Sequence, residues 1–365
     1  MFDGARVLVT GHTGFKGGWL TLWLVHLGAR VTGVSLPPPT RPSLFETTGL
    51  AGICDHRIAD IRAEGVLAAV VRQVRPSIVF HLAAQPLVRD SYDQPLATLE
   101  ANVLGTARML DAMRGASEPC ACVIVTTDKC YLNDGSGMRH RETDRLGGDD
   151  PYSASKAAAE IVAHAYRTSF FPPDRIASHG IRIATARAGN VIGGGDWGAD
   201  RLIPDAVRAI AAGASLEIRH PEAYRPWQYV LDVLDGYLKL AVRLSAPPDQ
   251  AAPVCGAWNF GPRDGKDVVV RELASRFFAA WGKGDWHPAA ADVRKPEAQT
   301  LRLDASKAEH ELGWRARVGA EEMLARTAAW YRAFYEGADA GHMRALSLAQ
   351  IETHSGSAAV GRASV

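Results

Sequence analysis

Cysteine is scarce: five in 365 residues, an odd number with no pair at zinc-ligand spacing. That excludes a disulfide-built fold and suits a reducing compartment. Cys120-Ala121-Cys122 leads into an apolar run and reads as part of a buried strand, where free cysteines usually sit. Charge of one sign is missing too. Lys and Arg number 41 against 40 Asp and Glu, a net charge of +1. Bulk attraction to nucleic acid or to a membrane surface is therefore excluded, and any anion must be met by local arginines. Long apolar runs are also lacking. The longest, Leu20 to Leu27, is too short to span a bilayer and contains His26. The first residues enter a strand-like segment with no signal peptide, and no internal repeat is visible. The expectation is a cytoplasmic protein with no membrane, nucleic-acid or metal partner.

What is present is a globular composition, 47% hydrophobic, in a chain longer than one ordinary core holds. The first half alternates strand and helix signals. Val7-Leu8-Val9, Val31 to Leu36, Ile78 to Leu82, Val123 to Thr126 and Ile181 to Arg187 read as short buried strands. Trp19 to Leu27, Leu96 to Met113 and Tyr152 to Tyr166 read as helices. This alternation predicts an α/β fold, a doubly wound, mostly parallel sheet with right-handed crossovers. After Gly189 the pattern turns irregular, with helices expected at Ile203 to Ala212, Val233 to Leu244, Glu272 to Trp281 and Glu321 to Phe334. The predicted organisation is a nucleotide-binding domain over 1–188, with a return strand near 254–262. A smaller α/β substrate domain spans 189–340. The tail, 341–365, lacks a clear apolar period after Leu348 and is expected to be poorly ordered.

Gly11, Gly14 and Gly17 lie between the first strand and the first helix, in Gly11-His12-Thr13-Gly14-Phe15-Lys16-Gly17. Glycines there permit a tight turn and let backbone N–H groups approach a pyrophosphate at the helix N-terminus. One element of a dinucleotide site is missing. No acid closes the second strand, which ends Gly33-Val34-Ser35-Leu36, so the strand does not decide between NAD and NADP. Asp60-Ile61 is a candidate adenine contact, or Asp60 caps a helix beginning at Arg62. His81-Leu82-Ala83-Ala84-Gln85 ends the fourth strand with small residues that let a cofactor pack closely. Gln85 and Arg89 are expected to face the same crevice, and Asn102 is read as structural.

Thr126-Thr127-Asp128-Lys129-Cys130-Tyr131 follows the fifth strand, and Tyr152-Ser153-Ala154-Ser155-Lys156 opens the next helix. Tyr152 and Lys156 share a helix face, so the ammonium is expected to favour the phenolate. The pair suits proton removal from a hydroxyl while a nicotinamide is reduced. Thr127 can bind an oxygen at carbon 4 of a sugar. Asp128 can protonate a departing hydroxyl at carbon 6, and a neutral Lys129 can take the proton at carbon 5. The plainer alternative is a loop ion pair between Asp128 and Lys129.

The glycine turn, His-Leu-Ala-Ala-Gln, Tyr-x-x-x-Lys and Arg187-Ala188-Gly189-Asn190-Val191-Ile192-Gly193 resemble the extended short-chain dehydrogenase/reductase family, which has a Rossmann sheet. Finer motifs resemble its nucleotide-sugar 4,6-dehydratases, most closely those acting on CDP-glucose. These are Ser43-Leu44-Phe45-Glu46, Thr-Thr-Asp-Lys-Cys-Tyr, Gly193-Gly194-Gly195-Asp196-Trp197 and Arg225-Pro226-Trp227-Gln228. Related dTDP- and GDP-sugar dehydratases place Glu where this chain has Lys129.

The resemblance implies bound NAD and a homodimer through helices including the one at Tyr152. It also implies a product feeding 3,6-dideoxyhexose synthesis for surface polysaccharide such as O-antigen. The cofactor set is then Gly11, Thr13, Gly14, Phe15, Lys16, Gly17, Asp60, Ile61, Leu82, Ala83, Ala84, Gln85, Thr126, Tyr152 and Lys156. Asn190, Arg201, Leu202, Ile203, Arg219 and Arg225 join Gln85 and Arg89 around the nucleotide sugar. Trp197 and Trp227 cover the ligand or pack the small domain, packing being preferred. Pro296 and Tyr229 stand where the family commonly has His. A 4-epimerase on the same scaffold, or a dinucleotide-sensing protein without catalysis, are the rival readings.

Overall fold

The computed structural model describes residues 1–262, 268–289 and 301–359. Seven segments form one parallel sheet: β1 (Arg6–Thr10), β2 (Arg30–Ser35), β3 (Asp55–Ile58), β4 (Ile78–His81), β5 (Cys120–Val125), β6 (Ile181–Ala188) and β7 (Ala257–Phe260). Their order is β7-β6-β5-β4-β1-β2-β3. Side chains alternate across it, as the pleat requires. Val7 and Val9 face a core with Trp19, Leu234 and Tyr237, whereas Leu8 faces one with Leu67, Val71 and Met109. Burial on both faces is why the strands other than β3 are continuous apolar runs.

The chain lays β2 and β3 on one side of β1, then returns to place β4 on the other. The crevice at the carboxyl ends of β1 and β4 is therefore the topological switch point. The helices that shape it are α1 (Phe15–His26), α2 (Val66–Val74), α3 (Val88–Asp93), α4 (Pro95–Leu99), α5 (Gly105–Ala112) and α6 (Pro151–Ser169). A π-helical turn, Glu100–Leu104, joins α4 to α5, so the expected long helix is continuous but locally underwound. Asp150 caps α6 by accepting from the Ser153 amide at 2.9 Å, and Pro151 sits in the first turn.

β7 is the return strand, paired with β6 at the sheet edge. Beyond β6 come α7 (Leu202–Ala212), α8 (Val230–Leu244), α9 (Val270–Trp281) and α10 (Ala320–Tyr335). Short ladders tie this region together, Leu216–Ile218 with Trp286–Pro288 and Tyr224–Arg225 with Val268–Val269.

The tail corrects the sequence expectation. Residues Ala340–Ala359 form a helix, α11, with Met343, Ser347, Ile351 and His354 buried. Ser347 accepts from the Trp330 indole N–H at 2.9 Å, and Gln350 accepts from the Tyr229 hydroxyl at 2.7 Å. The buried face recurs every three or four residues but is half polar. A search for apolar periodicity therefore misses it.

Candidate active site

Gly11 takes φ +79°, which turns the chain sharply out of β1. A Cβ there would meet the Ala83 nitrogen at 2.7 Å, and one on Gly17 would sit 2.1 Å from the Gly11 carbonyl oxygen. The glycines thus pack the start of α1 against the end of β4. Gly14 is the N-cap of α1, no side chain caps that end, and its first turn holds no acid. Its free N–H groups and the positive end of the helix dipole form a site for an anion such as a pyrophosphate.

Leu82 and Ala83 close against this turn. The Leu82 amide donates to the Thr10 carbonyl at 3.1 Å, and the Ala83 amide to the Thr10 hydroxyl at 3.2 Å. Other expected cofactor contacts are committed elsewhere. The Thr13 hydroxyl lies 2.8 Å from that of Ser35 and donates to the Leu36 carbonyl at 3.0 Å. Asp60 accepts from the Arg62 amide at 2.8 Å and pairs with its guanidinium at 2.7 Å, a turn rather than a helix cap, since α2 begins at Val66. Ile61 is buried against Gly105. The Gln85 side-chain amide donates to Leu87 and Thr98 and accepts from Leu87, so the structure does not bring it to the cleft. Asn102 is structural, as expected: it bridges the Gln85 backbone and Ser155.

Beyond the carboxyl ends of β5 and β6 opens a cleft of about 300 Å³. It gathers Phe15, Lys16, Thr126, Thr127, Asp128, Lys129, Tyr152, Asn190, Arg201, Leu202, Ile203, Arg219 and Arg225. Arg89 and Lys156, both expected at the site, are not among this lining, though Arg89 pairs with Asp200, which is. Thr127 caps a 3₁₀ turn, Asp128–Cys130, and donates to Asp128 Oδ1 at 2.9 Å. Asp128 is 2% exposed, and its Oδ2 has no hydrogen-bond partner. Burial pushes its carboxyl above the usual aspartate value, against the lowering by Lys129 and the Thr127 hydrogen bond. An unpartnered Oδ2 argues against a plain loop ion pair and leaves that oxygen buried beside Gly189.

Tyr152 is buried on the first turn of α6, its amide held by the Ser91 hydroxyl at 3.1 Å. Burial pushes its phenol up to about 12, against a hydrogen bond to Thr127 that lowers it. The expected lowering by Lys156 is not what dominates here. The Lys156 ammonium turns to the Val125 carbonyl at 3.4 Å, and burial, then Lys16, brings it down to about 7.

Arg201 pairs with Asp196 at 2.7 Å, while Asp200 joins Arg219 at 2.6 Å and Arg89 at 3.7 Å. Trp197 packs on Trp330, Tyr331 and Phe334, as the packing reading holds. Trp227 lines the cleft and donates to Val268 at 3.1 Å. Tyr229 lies away from the cleft, against α11, while Pro296 falls outside the described residues. Lys16 was expected only among the cofactor contacts, and Asp196 was not singled out as a site residue. Lys16 lines the cleft, and burial, then Arg201, lowers its ammonium to about 8. Asp196 is also at the cleft, and its position in Gly-Gly-Gly-Asp-Trp was the signal available.

A parallel switch-point sheet, a glycine cradle and a Tyr–Lys pair at the sheet's carboxyl edge define an extended short-chain dehydrogenase/reductase. The comparisons narrow the class. The model of the GDP-mannose 4,6 dehydratase family matches residues 8–256, and the chain belongs to that family. The chain is 45% identical over 338 residues to the CDP-glucose 4,6-dehydratase of Salmonella typhimurium, covering 93% of each. It is 28% identical to UDP-glucose 4-epimerase 3 of rice, Oryza sativa subsp. japonica, covering 88% of each. Among solved structures, the dTDP-glucose 4,6-dehydratase of Streptomyces venezuelae, with NAD bound, superposes with a TM-score of 0.73 at 27% identity. That match covers 90% of this chain and 97% of that one.

Proposed function

We propose that the protein is an NAD-dependent hydro-lyase that converts CDP-D-glucose to CDP-4-keto-6-deoxy-D-glucose and water. The observation that carries this is the meeting of buried Asp128, its carboxyl raised by burial, with Thr127, Lys129 and Tyr152 in one cleft. A simple dehydrogenase needs the tyrosine and lysine alone. The relative at 45% identity supports the sugar nucleotide.

The cradle fits a dinucleotide. The start of α1 is uncapped, and the Cβ contacts at Gly11 and Gly17 show a turn that only glycine fills. The backbone of Gly11 to Gly17 would hold the pyrophosphate of NAD, with Leu82 and Ala83 flanking it. Bound NAD supplies the electron-pair acceptor for carbon 4 and the donor for carbon 6. Tyr152, hydrogen-bonded to Thr127, takes the carbon-4 hydroxyl proton. The ketone acidifies carbon 5, Lys129 takes that proton, and Asp128 protonates the departing carbon-6 oxygen. Lys129 then returns its proton to carbon 5, and the proton gained by Tyr152 replaces the one given up by Asp128, with Thr127 lying between them. Arg201, Arg219 and Arg225 supply cations for the diphosphate.

The division of labour follows the sheet: 1–188 and the return strand hold the cofactor, and 189–340 holds the substrate. The assembly is a homodimer. Leu96 and Leu104 on the α4–α5 rod and Ile161 on α6 are exposed, and these helices pack side by side. The five cysteines are all free, in keeping with the cytoplasm. No helix among the described residues is long and apolar enough to cross a membrane. A 4-keto-6-deoxy sugar nucleotide is a starting point for dideoxyhexoses of surface polysaccharide such as O-antigen.

The rival is a 4-epimerase, to which the chain is also similar. An epimerase has no use for a buried acid at carbon 6. Incubation with CDP-, UDP-, dTDP- and GDP-glucose tests the two. The expected product has lost one water, from CDP-glucose most rapidly, and deuterium placed on carbon 4 reappears in its new methyl group. A product that keeps its carbon-6 hydroxyl overturns the proposal.

A further inference from the structure

Behind the cleft lies a buried ion pair that the reaction does not use directly. Glu160 sits on α6 one turn beyond Lys156, and Arg187 sits near the end of β6. They pair at 2.8 Å with both side chains only 3% exposed. Glu160 accepts from the hydroxyls of Thr126 and, at 2.7 Å, Thr185. Arg187 donates to the Tyr131 hydroxyl at 2.6 Å and to the Glu142 carbonyl at 3.2 Å. Tyr131 in turn donates to Asn259 on β7 at 2.7 Å. Thr126 and Tyr131 are the two ends of the segment that carries Thr127, Asp128 and Lys129. Both ends are thus fastened to one pair. Two residues beyond Arg187, Gly189 lies against the same turn, where a Cβ would come 2.9 Å from Asp128 Oδ2.

A buried pair of this kind is a poor device for stability, because desolvating two charges costs about as much as their attraction returns. Its hydrogen bonds instead give fixed directions to the ends of β5, β6 and β7. We propose that Glu160 and Arg187 are positioning residues, which hold Thr127 and Asp128 in register with Tyr152 and keep an anion beside Lys156. This rests on the dehydratase reading above. The charged or titratable groups facing Lys156 are Lys16 from α1, Glu160 from its own helix, Cys130 from the turn and His81 from β4. Glu160 is the carboxylate among them, and it favours the ammonium.

The test compares Glu160→Gln with the parent enzyme in kcat, KM, NAD affinity, unfolding midpoint and the pH profile of kcat. The expected result is a kcat lower by about 30-fold or more, with KM and NAD affinity within about threefold. Loss of the anion lets Lys156 give up its proton more readily. The alkaline limb of the kcat profile therefore moves to lower pH by about half a unit or more. A kcat within twofold of the parent overturns the proposal, as does a loss that merely follows weaker NAD binding with the profile unmoved. Should Glu160→Gln fail to fold, Thr185→Val removes one bond to Glu160 and leaves the charges paired. It is expected to lower kcat about three- to tenfold at unchanged KM, and an unaltered kcat sinks the idea. Parent enzyme that removes water from no nucleotide-glucose would defeat the functional reading instead, so the two failures stay separate.

Discussion

Tyr152 and Asp128 act at different bonds, so single-atom changes should separate them. Tyr152→Phe removes the oxygen that takes the first proton, and we expect kcat to fall by about 10²- to 10⁴-fold. The unfolding midpoint should change little, since the Ser91 hydroxyl still holds the Tyr152 amide and Asp150 still caps the helix through Ser153. Asp128→Asn keeps the shape but cannot protonate a leaving hydroxyl. Dehydration should drop at least about 100-fold, while solvent deuterium still enters carbon 5, read by mass spectrometry. Because burial raises the Asp128 carboxyl, its proton persists to higher pH than an ordinary aspartate keeps it. Activity that needs that proton falls as pH rises through the raised value, and the asparagine variant should lose that limb. Thr127 to Lys129, Tyr152 and Lys156 were legible in the sequence because their chemistry lies in local spacing beside a strand end. Thr13 and Gln85 were not. Their side chains are claimed by Ser35, Leu36, Leu87 and Thr98, and such partners are set by tertiary contact.

At the scale of elements, periodicity succeeded where a face is apolar and failed where it is mixed. All the strands of the sheet except β3 were visible as apolar runs; β3, Asp-His-Arg-Ile, is half exposed at the edge and carries no such signal. Helix α11 was invisible for the reason already given, yet it covers Trp330, Tyr229 and Trp23. A helix bound that way should be part of the cooperative fold rather than an appendage. Ile351 is 0% exposed. Ile351→Ala is expected to cost about 2–4 kcal/mol by the usual large-to-small rule, measured as a shift in urea midpoint at constant slope. A cost below about 0.5 kcal/mol, the range of ordinary surface substitutions, would mean that α11 is not packed in solution as it is here.

For the whole molecule, the open question is what covers the outer face of α4, α5 and α6. Leu96 is 75% exposed, Ile161 57% and Leu104 48%. Three large apolar side chains on neighbouring helices carry an unfavourable solvation that a second copy would relieve. A two-fold contact would set this face against itself, since a symmetric dimer uses the same patch on both partners. The same helix α6 carries Tyr152 and Lys156, so the contact would also brace the reaction centre from behind. The sequence placed these side chains on two helices but not on one face, because Leu99 and Val103 in the same rod are less exposed and the π-helical turn shifts the register between them. Charges placed here should therefore separate the protomers without touching the cleft. Light scattering on the parent is expected to give twice the 39.2 kDa chain mass. Leu96→Glu combined with Ile161→Glu should give a single chain mass with its circular dichroism retained. A double variant that remains a dimer would place the interface elsewhere. A monomeric variant with lower kcat but unchanged KM would show that the partner steadies α6 rather than contributing to substrate binding.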